Sequence, residues 1–177
     1  MIPQLQTERL FLRGWTPADF EPYARFLADA EVTRYTVGDP LSRADAWRNM
    51  AIFVGHWVLR GYGMWAVERG SDGEFLGRVG LWNPEGWPGL EVGWTLGKEY
   101  WGQGYATEAA RAAMNFGFLR QNVDRLLSVI DTRNGASQRV AERLGETRGE
   151  RREIEFQGKR FTVDVWSISR EDWTRRF

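Results

Sequence analysis

The stretch from Val92 to Ala110, VGWTLGKEYWGQGYATEAA, constrains this chain more than any other. It opens as a strand: apolar Val92, Trp94 and Leu96 alternate with Glu91, Gly93 and Thr95, a period of two. It continues through a loop carrying Gly97, Gly102 and Gly104, then enters an alanine-rich segment at Ala106, where helix propensity is high. A strand, a glycine loop and a helix start together make an anion cradle. The first N–H groups of a helix lack internal partners, and the helix dipole is positive at that end. Glycines let a phosphate approach the backbone closely. The loop Trp101-Gly102-Gln103-Gly104-Tyr105-Ala106-Thr107 is not a Walker loop, since no Gly-Lys-Ser/Thr follows. As a dinucleotide fingerprint it lacks the third glycine, where Thr107 stands. Taken alone, it reads equally well as an ordinary loop with glycines at tight turns.

A second segment, DTRNGASQRVAERLG at residues 131–145, contributes Asn134, Ser137 and Gly145. Standing downstream of the WGQGYATEA loop, these residues resemble the GNAT acetyltransferase superfamily. More narrowly they resemble its branch of ribosomal-protein N-terminal (alanine/serine) acetyltransferase-like proteins. The start, LQTERLFLRGWTPAD, and the end, DVWSISREDW, resemble that branch too, so the likeness runs along essentially the whole chain.

Composition bounds the rest. A chain of 177 residues is long enough for one domain with a real core, and residues 1–177 read as a single GNAT-like domain. The 24 basic and 24 acidic residues cancel, which argues against a nucleic-acid partner bound through bulk charge. There is no cysteine, hence no disulfide, thiolate metal site or cysteine nucleophile. One histidine, His56, makes a histidine metal cluster impossible and a Ser-His triad improbable. Met1-Ile2-Pro3-Gln4 lacks the basic and apolar regions of a signal peptide. No apolar run approaches the ~18 residues that span a bilayer. A cytoplasmic protein with no membrane and no metal is expected, as a monomer or homodimer. Among ten tryptophans, Trp65, Trp82, Trp87 and Trp94 crowd one central region, as core, acceptor groove or dimer face.

Along the chain, Thr7 to Arg13 reads as a strand, and Thr16-Pro17 opens a helix with Phe20, Tyr23, Ala24 and Leu27 on one stripe. Ser42 caps a second helix whose buried face is Ala46, Met50, Phe53, Val54 and Trp57, and which ends at Gly61 and Gly63. Met64 to Glu68 and Phe75 to Trp82 pair across Ser71-Asp72-Gly73. After the Leu90–Leu96 strand, a helix runs from about Tyr105 to Gln121. Arg125 to Asp131 is apolar in its middle, as a strand buried on both faces should be. Ser137 to Leu144 is a short helix. Gly149–Phe156 and Phe161–Ile168 pair across Gln157-Gly158-Lys159. The helix between the 90–96 and 125–131 strands makes those two parallel. With the resemblance, this implies an α/β (α+β) fold: a GNAT-like mixed, mostly antiparallel seven-stranded sheet flanked by about four helices, with a splayed central parallel pair.

The resemblance implies an acetyl-CoA site in that splay. The backbone of Trp94, Thr95 and Leu96 would pair with the pantetheine amides, and backbone N–H groups from Trp101 through Gly102, Gln103, Gly104, Tyr105 and Ala106 would hold the pyrophosphate. Trp101 stands where the family often has Gln or Arg, so a polar contact from that side chain is not expected. Thr107 either adds a hydroxyl to the ligand or bonds its own backbone. Asn134 maps to a residue that contacts the pantetheine arm, and asparagine is also a common helix cap. Ser137 lies one helical turn later, on the same side. Many GNAT proteins carry a tyrosine proton donor seven positions after this asparagine. Here that position is Ala141, which leaves Ser137 as candidate acid or as a first-turn serine satisfying an N–H. Glu91 is either solvent-facing or, by the resemblance, a carboxylate near the acceptor amine. His56 reads as a satisfied, partly buried side chain. Arg148, Arg151, Arg152, Lys159 and Arg160 alternate with glutamates and read as a solvated β-face. The function implied is acetyl transfer from acetyl-CoA to an amine by direct attack in a ternary complex. The alternatives are a non-catalytic acyl-CoA-binding module and a structural dimer built on the tryptophan-rich face.

Overall fold

Alternation of apolar residues on both faces of the central strands dictates a sheet covered on two sides. In Met64-Trp65-Ala66-Val67 every residue is buried, successive side chains facing opposite layers. The computed structural model describes residues 2–156 and 158–177; Met1, and Gln157 of the expected last turn, lie outside them. Eight strands make one sheet: β1 (Leu5–Gln6), β2 (Leu10–Arg13), β3 (Met64–Arg69), β4 (Phe75–Trp82), β5 (Glu91–Leu96), β6 (Arg125–Asp131), β7 (Thr147–Phe156) and β8 (Lys159–Ser169). Their order is β1-β2-β3-β4-β5-β6-β8-β7, and all neighbours are antiparallel except β5 and β6. The helices are α1 (Phe20–Leu27), α2 (Ala30–Thr33), α3 (Arg43–Arg60), α4 (Tyr105–Arg120), α5 (Gly135–Leu144) and α6 (Arg170–Arg176).

The mixed sheet with its central parallel pair agrees with the sequence reading. The counts differ: β1 adds an eighth strand, and α2 and α6 join the four expected helices. These extra elements have two, four and seven residues, too short for periodicity to show. On one face α4 packs its Ala109, Ala113 and Met114 against Leu81, Val92 and Leu126. On the other, Tyr23 and Leu27 of α1 and Ala46 and Phe53 of α3 cover Met64 and Trp82. Val54, expected on the buried stripe of α3, is exposed; Asn49 and His56 take inward positions instead.

The parallel pair is splayed. Its ladder consists of Glu91 opposite Leu127, with the Leu127 N–H donating to Leu90 O at 3.0 Å. Immediately beyond, side chains replace backbone rungs. Ser128 Oγ reaches Val92 O at 2.8 Å, and Val129 N–H donates to Glu91 Oε1 at 3.3 Å. The strands then part, and a cleft opens toward the loop before α4.

Candidate active site

The cleft occupies about 310 Å³ and runs from Trp94, Thr95 and Leu96 to Gly102, Gly104 and Thr107. The loop is shaped by two left-handed glycines, Gly102 (φ +74°) and Gly104 (φ +82°), a conformation that L side chains rarely adopt. Among the described residues none accepts from the N–H groups of Gly102 through Ala106. The Trp101 N–H differs: it already donates to Lys98 O at 3.2 Å, and the Trp101 indole N–H donates to Leu96 O at 2.8 Å. The free donors therefore start at Gly102. Arg9 braces the loop from behind, donating to Gln103 O at 3.0 Å, pairing with Glu108 at 2.6 Å and lying over the buried Tyr105 ring. Gln103 turns away from the cleft, its Nε2 donating to Glu99 O. Thr107 does not bond its own backbone. Its Oγ1 is buried and has no partner, in the first turn of α4, where a ligand oxygen would complete it. An orphaned hydroxyl beside free helix N–H groups fits a phosphate.

Asn134 and Ser137 flank the middle of the cleft. Asn134 caps α5, its Oδ1 accepting from the Ser137 N–H at 3.1 Å. Its Nδ2 donates to Ser137 Oγ at 3.0 Å, and the Trp94 indole N–H donates to the same oxygen at 3.2 Å. With two N–H donors on its lone pairs, the Ser137 hydroxyl keeps its own proton free to donate.

Glu91 lies on the opposite side of the splay and is buried rather than solvent-facing. Its Oε2 accepts from the Trp87 indole at 2.6 Å. Burial pushes its carboxyl up to about 8, against the downward pull of the Val129 N–H, the Trp87 indole and the charge of Arg78. A second cavity of about 120 Å³ meets Glu91 here, walled by Phe53, Trp82, Trp87 and Phe156. His56 is satisfied: its ring nitrogens meet Tyr62 O at 2.8 Å and the Asn83 N–H at 3.2 Å, and burial lowers its proton affinity. The tryptophans divide their roles. Trp65 is core, Trp82 and Trp87 wall the second cavity, and Trp94 reaches both cavities.

A family model described as an acetyltransferase (GNAT) domain matches residues 9–147. The chain belongs to the GNAT acetyltransferases. The uncharacterized N-acetyltransferase YoaA of Bacillus subtilis is 28% identical over 95% of this chain and 97% of its own length. The uncharacterized protein YkkB of the same organism is 40% identical, but the match spans about half of each protein: 49% of this chain and 52% of YkkB. A crystal structure of an acetyltransferase from Agrobacterium tumefaciens superposes with a TM-score of 0.83 at 32% identity, covering 96% of both chains. RimL, a ribosomal L7/L12 α-N-protein acetyltransferase in complex with coenzyme A, shares the fold with a TM-score of 0.77 at 17% identity, over 94% of this chain and 98% of its own.

As a GNAT protein the chain is an acetyltransferase, of a fold that uses acetyl-CoA and acts on an amine. Among the described residues no group of three or more His, Cys, Asp or Glu side chains is placed to hold a metal, and no helix is long and apolar enough to cross a membrane. The hairpin cations lie on an exposed face, as expected, several of them paired: Arg148 and Arg151 with Asp164, Arg152 with Glu150. The GNAT site also includes groups that sequence reasoning did not single out. Arg34, Arg139 and Arg143 line the cleft. Ser128 and Glu146 lie buried behind Glu91. Ser128 Oγ faces Val92 O at 2.8 Å and Glu146 Oε1 at 3.0 Å. One hydroxyl proton cannot serve two acceptors, so when Ser128 donates to Val92, Glu146 must donate to Ser128 as the neutral acid. Burial agrees, pushing Glu146 up to about 8, with the neighbouring Glu91 charge adding to the rise.

Proposed function

We propose that this enzyme moves the acetyl group of acetyl-CoA to a primary amine, on a protein N-terminus or a small molecule, by direct attack in a ternary complex. The observation that carries the reading is the splay itself: the cleft that ends at the free helix N–H groups of α4 and the cavity that holds Glu91 adjoin, sharing Trp94, Thr95, Asn134 and Ser137 in their walls. The N–H groups of Gly102, Gln103, Gly104, Tyr105 and Ala106 and the Thr107 hydroxyl would hold the pyrophosphate. Arg34, Arg139 and Arg143 supply positive charge around it. Trp94 and Thr95 offer backbone to the pantetheine arm as an added strand would. Leu96 has its carbonyl engaged by Trp101, which leaves its N–H for the ligand or for β4. Asn134 orients Ser137 and stands within reach of the arm.

Glu91 is the proposed base. An attacking amine must be neutral, and an α-amine has a pKa of about 7.7–8.0. A carboxylate whose own value is about 8 can take that proton without a steep uphill step. The nitrogen lone pair then attacks the thioester carbonyl, the C–S bond breaks, and the second proton of the nitrogen passes to the departing CoA sulfur, which leaves a neutral amide and the CoA thiol. Ser137, its oxygen already saturated by two donors, directs its hydroxyl proton toward that sulfur. The test is thiol release from acetyl-CoA across a panel of peptides and small amines. Amine-dependent release with mass-verified N-acetyl product is expected; acetyl-CoA binding without release on any amine would reject the reading.

A further inference from the structure

The second cavity holds a charge that neither the acetyl donor nor the proposed base explains. Arg78, on β4, is 6% exposed, and its Nε has no partner. Two less buried arginines of the neighbouring strands do have carboxylates: Arg13 pairs with Asp19 and Glu68, Arg69 with Asp72. Among the described residues, none stands within 4 Å of Arg78. Its guanidinium lies 4.5 Å from the Phe53 ring centre, a stack that offsets only part of the cost of burying a cation. The nearby Tyr23 hydroxyl cannot supply the missing charge. It donates to Asn49 at 2.6 Å, and burial pushes it up to about 12 even with Arg78 pulling the other way. The Asn49 Nδ2 on the far side is a second buried donor without an acceptor. The region is rich in donors and short of one anion.

Register places this cation relative to the proposed base. Across β4 and β5, Arg78 stands opposite Thr95, Gly80 opposite Gly93, and Trp82 opposite Glu91. Between the guanidinium and the carboxyl this face of the two strands therefore carries only glycines, with the Met64 methyl lying over Gly93. The cavity there, about 120 Å³, suits a small molecule, and its walls are aromatic. A monoanion matches the single charge of Arg78, whereas a dianion would crowd Glu91. Guanidinium binds carboxylate through paired N–H donors.

We propose that the acceptor is a small amino-carboxylate, an α-amino acid or close analogue, whose carboxylate binds Arg78 while its amine faces Glu91. This rests on the acetyl-transfer reading and narrows its acceptor to a molecule with a free carboxylate near the amine, which a peptide N-terminus lacks.

Calorimetry on the CoA-saturated enzyme tests it, using the common α-amino acids, each beside its carboxamide, and a set of peptides. At least one acid should bind ~30-fold or more tighter than its own amide. Arg78→Met should shrink that ratio to within ~3-fold while acetyl-CoA affinity stays near wild type; Arg78→Lys should keep part of it. The acid–amide comparison needs only the wild type, so a variant that misfolds does not blunt the test. The proposal is overturned if acids and amides bind alike, if no acid in the panel binds, if peptides bind as well as the acids, or if a folded Arg78→Met keeps the preference. Carboxylate-blind turnover would sink this inference and leave acetyl transfer standing. Arg78-dependent binding with no acetyl product would do the reverse.

Discussion

Glu91 shows how one buried side chain can be both structural and chemical. Its Oε1 takes the Val129 N–H that a regular parallel ladder would have used, and in doing so it holds the strands apart. The same burial brings its proton affinity to about 8, matching an α-amine. Sign follows directly: the base must be ionised, so kcat/KM should rise as pH is raised through about 8. Glu91→Gln should lower kcat by ~10²–10⁴, leave acetyl-CoA affinity near wild type and alter the pH–rate profile, leaving only the acceptor amine's own titration. Full kcat with an unchanged profile would assign the base to water or another group. Ser137→Ala should cost less, roughly 2- to 10-fold in kcat, the size of one neutral hydrogen bond. Steady-state kinetics over pH 6 to 9.5 reads both.

The first turn of α4 is the element on which donor binding rests. Gly104 sits at φ +82° with Arg9 Nη2 3.4 Å from where a Cβ would stand. Gly104→Val should therefore distort the loop and remove most acetyl-CoA affinity, while Gln103→Ala should change it little. Thr107→Val separates ligand from fold. It removes a buried hydroxyl that has no partner, so the free enzyme should unfold at the same or a higher temperature, since an unsatisfied buried polar group costs about 1–3 kcal/mol. Acetyl-CoA affinity should fall ~10- to 150-fold, a charged hydrogen bond's worth. Equal affinity in wild type and Thr107→Val would remove the hydroxyl from the cradle. This element was the most legible part of the sequence, because its glycines, its alanines and its strand lie within twenty residues. What escaped had physical reasons. Two-residue β1 and four-residue α2 carry no measurable period. Glu91 sits at an alternating position, and its burial comes from a face covered by helices that lie far earlier in the chain. Arg78 and Ser128 are each a lone polar residue in an apolar run, Glu146 stands among polar neighbours between α5 and β7, and only the folded sheet brings the three segments near Glu91.

For the molecule as a whole, two buried carboxyls held neutral make stability pH-dependent in an unusual direction. Glu91 and Glu146 are each raised to about 8 in the fold from the ordinary 4.5. The folded state therefore binds more protons than the unfolded one, and stability is lost as pH rises from about 5 through 8, at most about 1.4 kcal/mol per pH unit per group. His56, lowered by burial, opposes this near its usual 6.5. Glu146→Gln keeps a neutral donor for Ser128 and removes one titration. Its stability relative to wild type should climb between pH 6 and 8.5 in urea denaturation; a constant difference would mean Glu146 is ionised in the fold.

The splay has a further consequence. Strands β1 to β5 and strands β6 to β8 are two half-sheets stitched along a seam by one backbone pair and a few side chains. An extended ligand laid into that seam would act as a missing thread, lending its amides to both sides. Occupancy at 100-fold above Kd stabilises any fold by about 2.7 kcal/mol. Here the gain should be felt locally first: on adding acetyl-CoA, amide hydrogen exchange should slow together at Trp94 to Leu96 and at Val129 to Asp131, more than at β2 or β7, whose pairing owes nothing to the ligand. Uniform slowing, or none along the seam, would place the acetyl donor elsewhere.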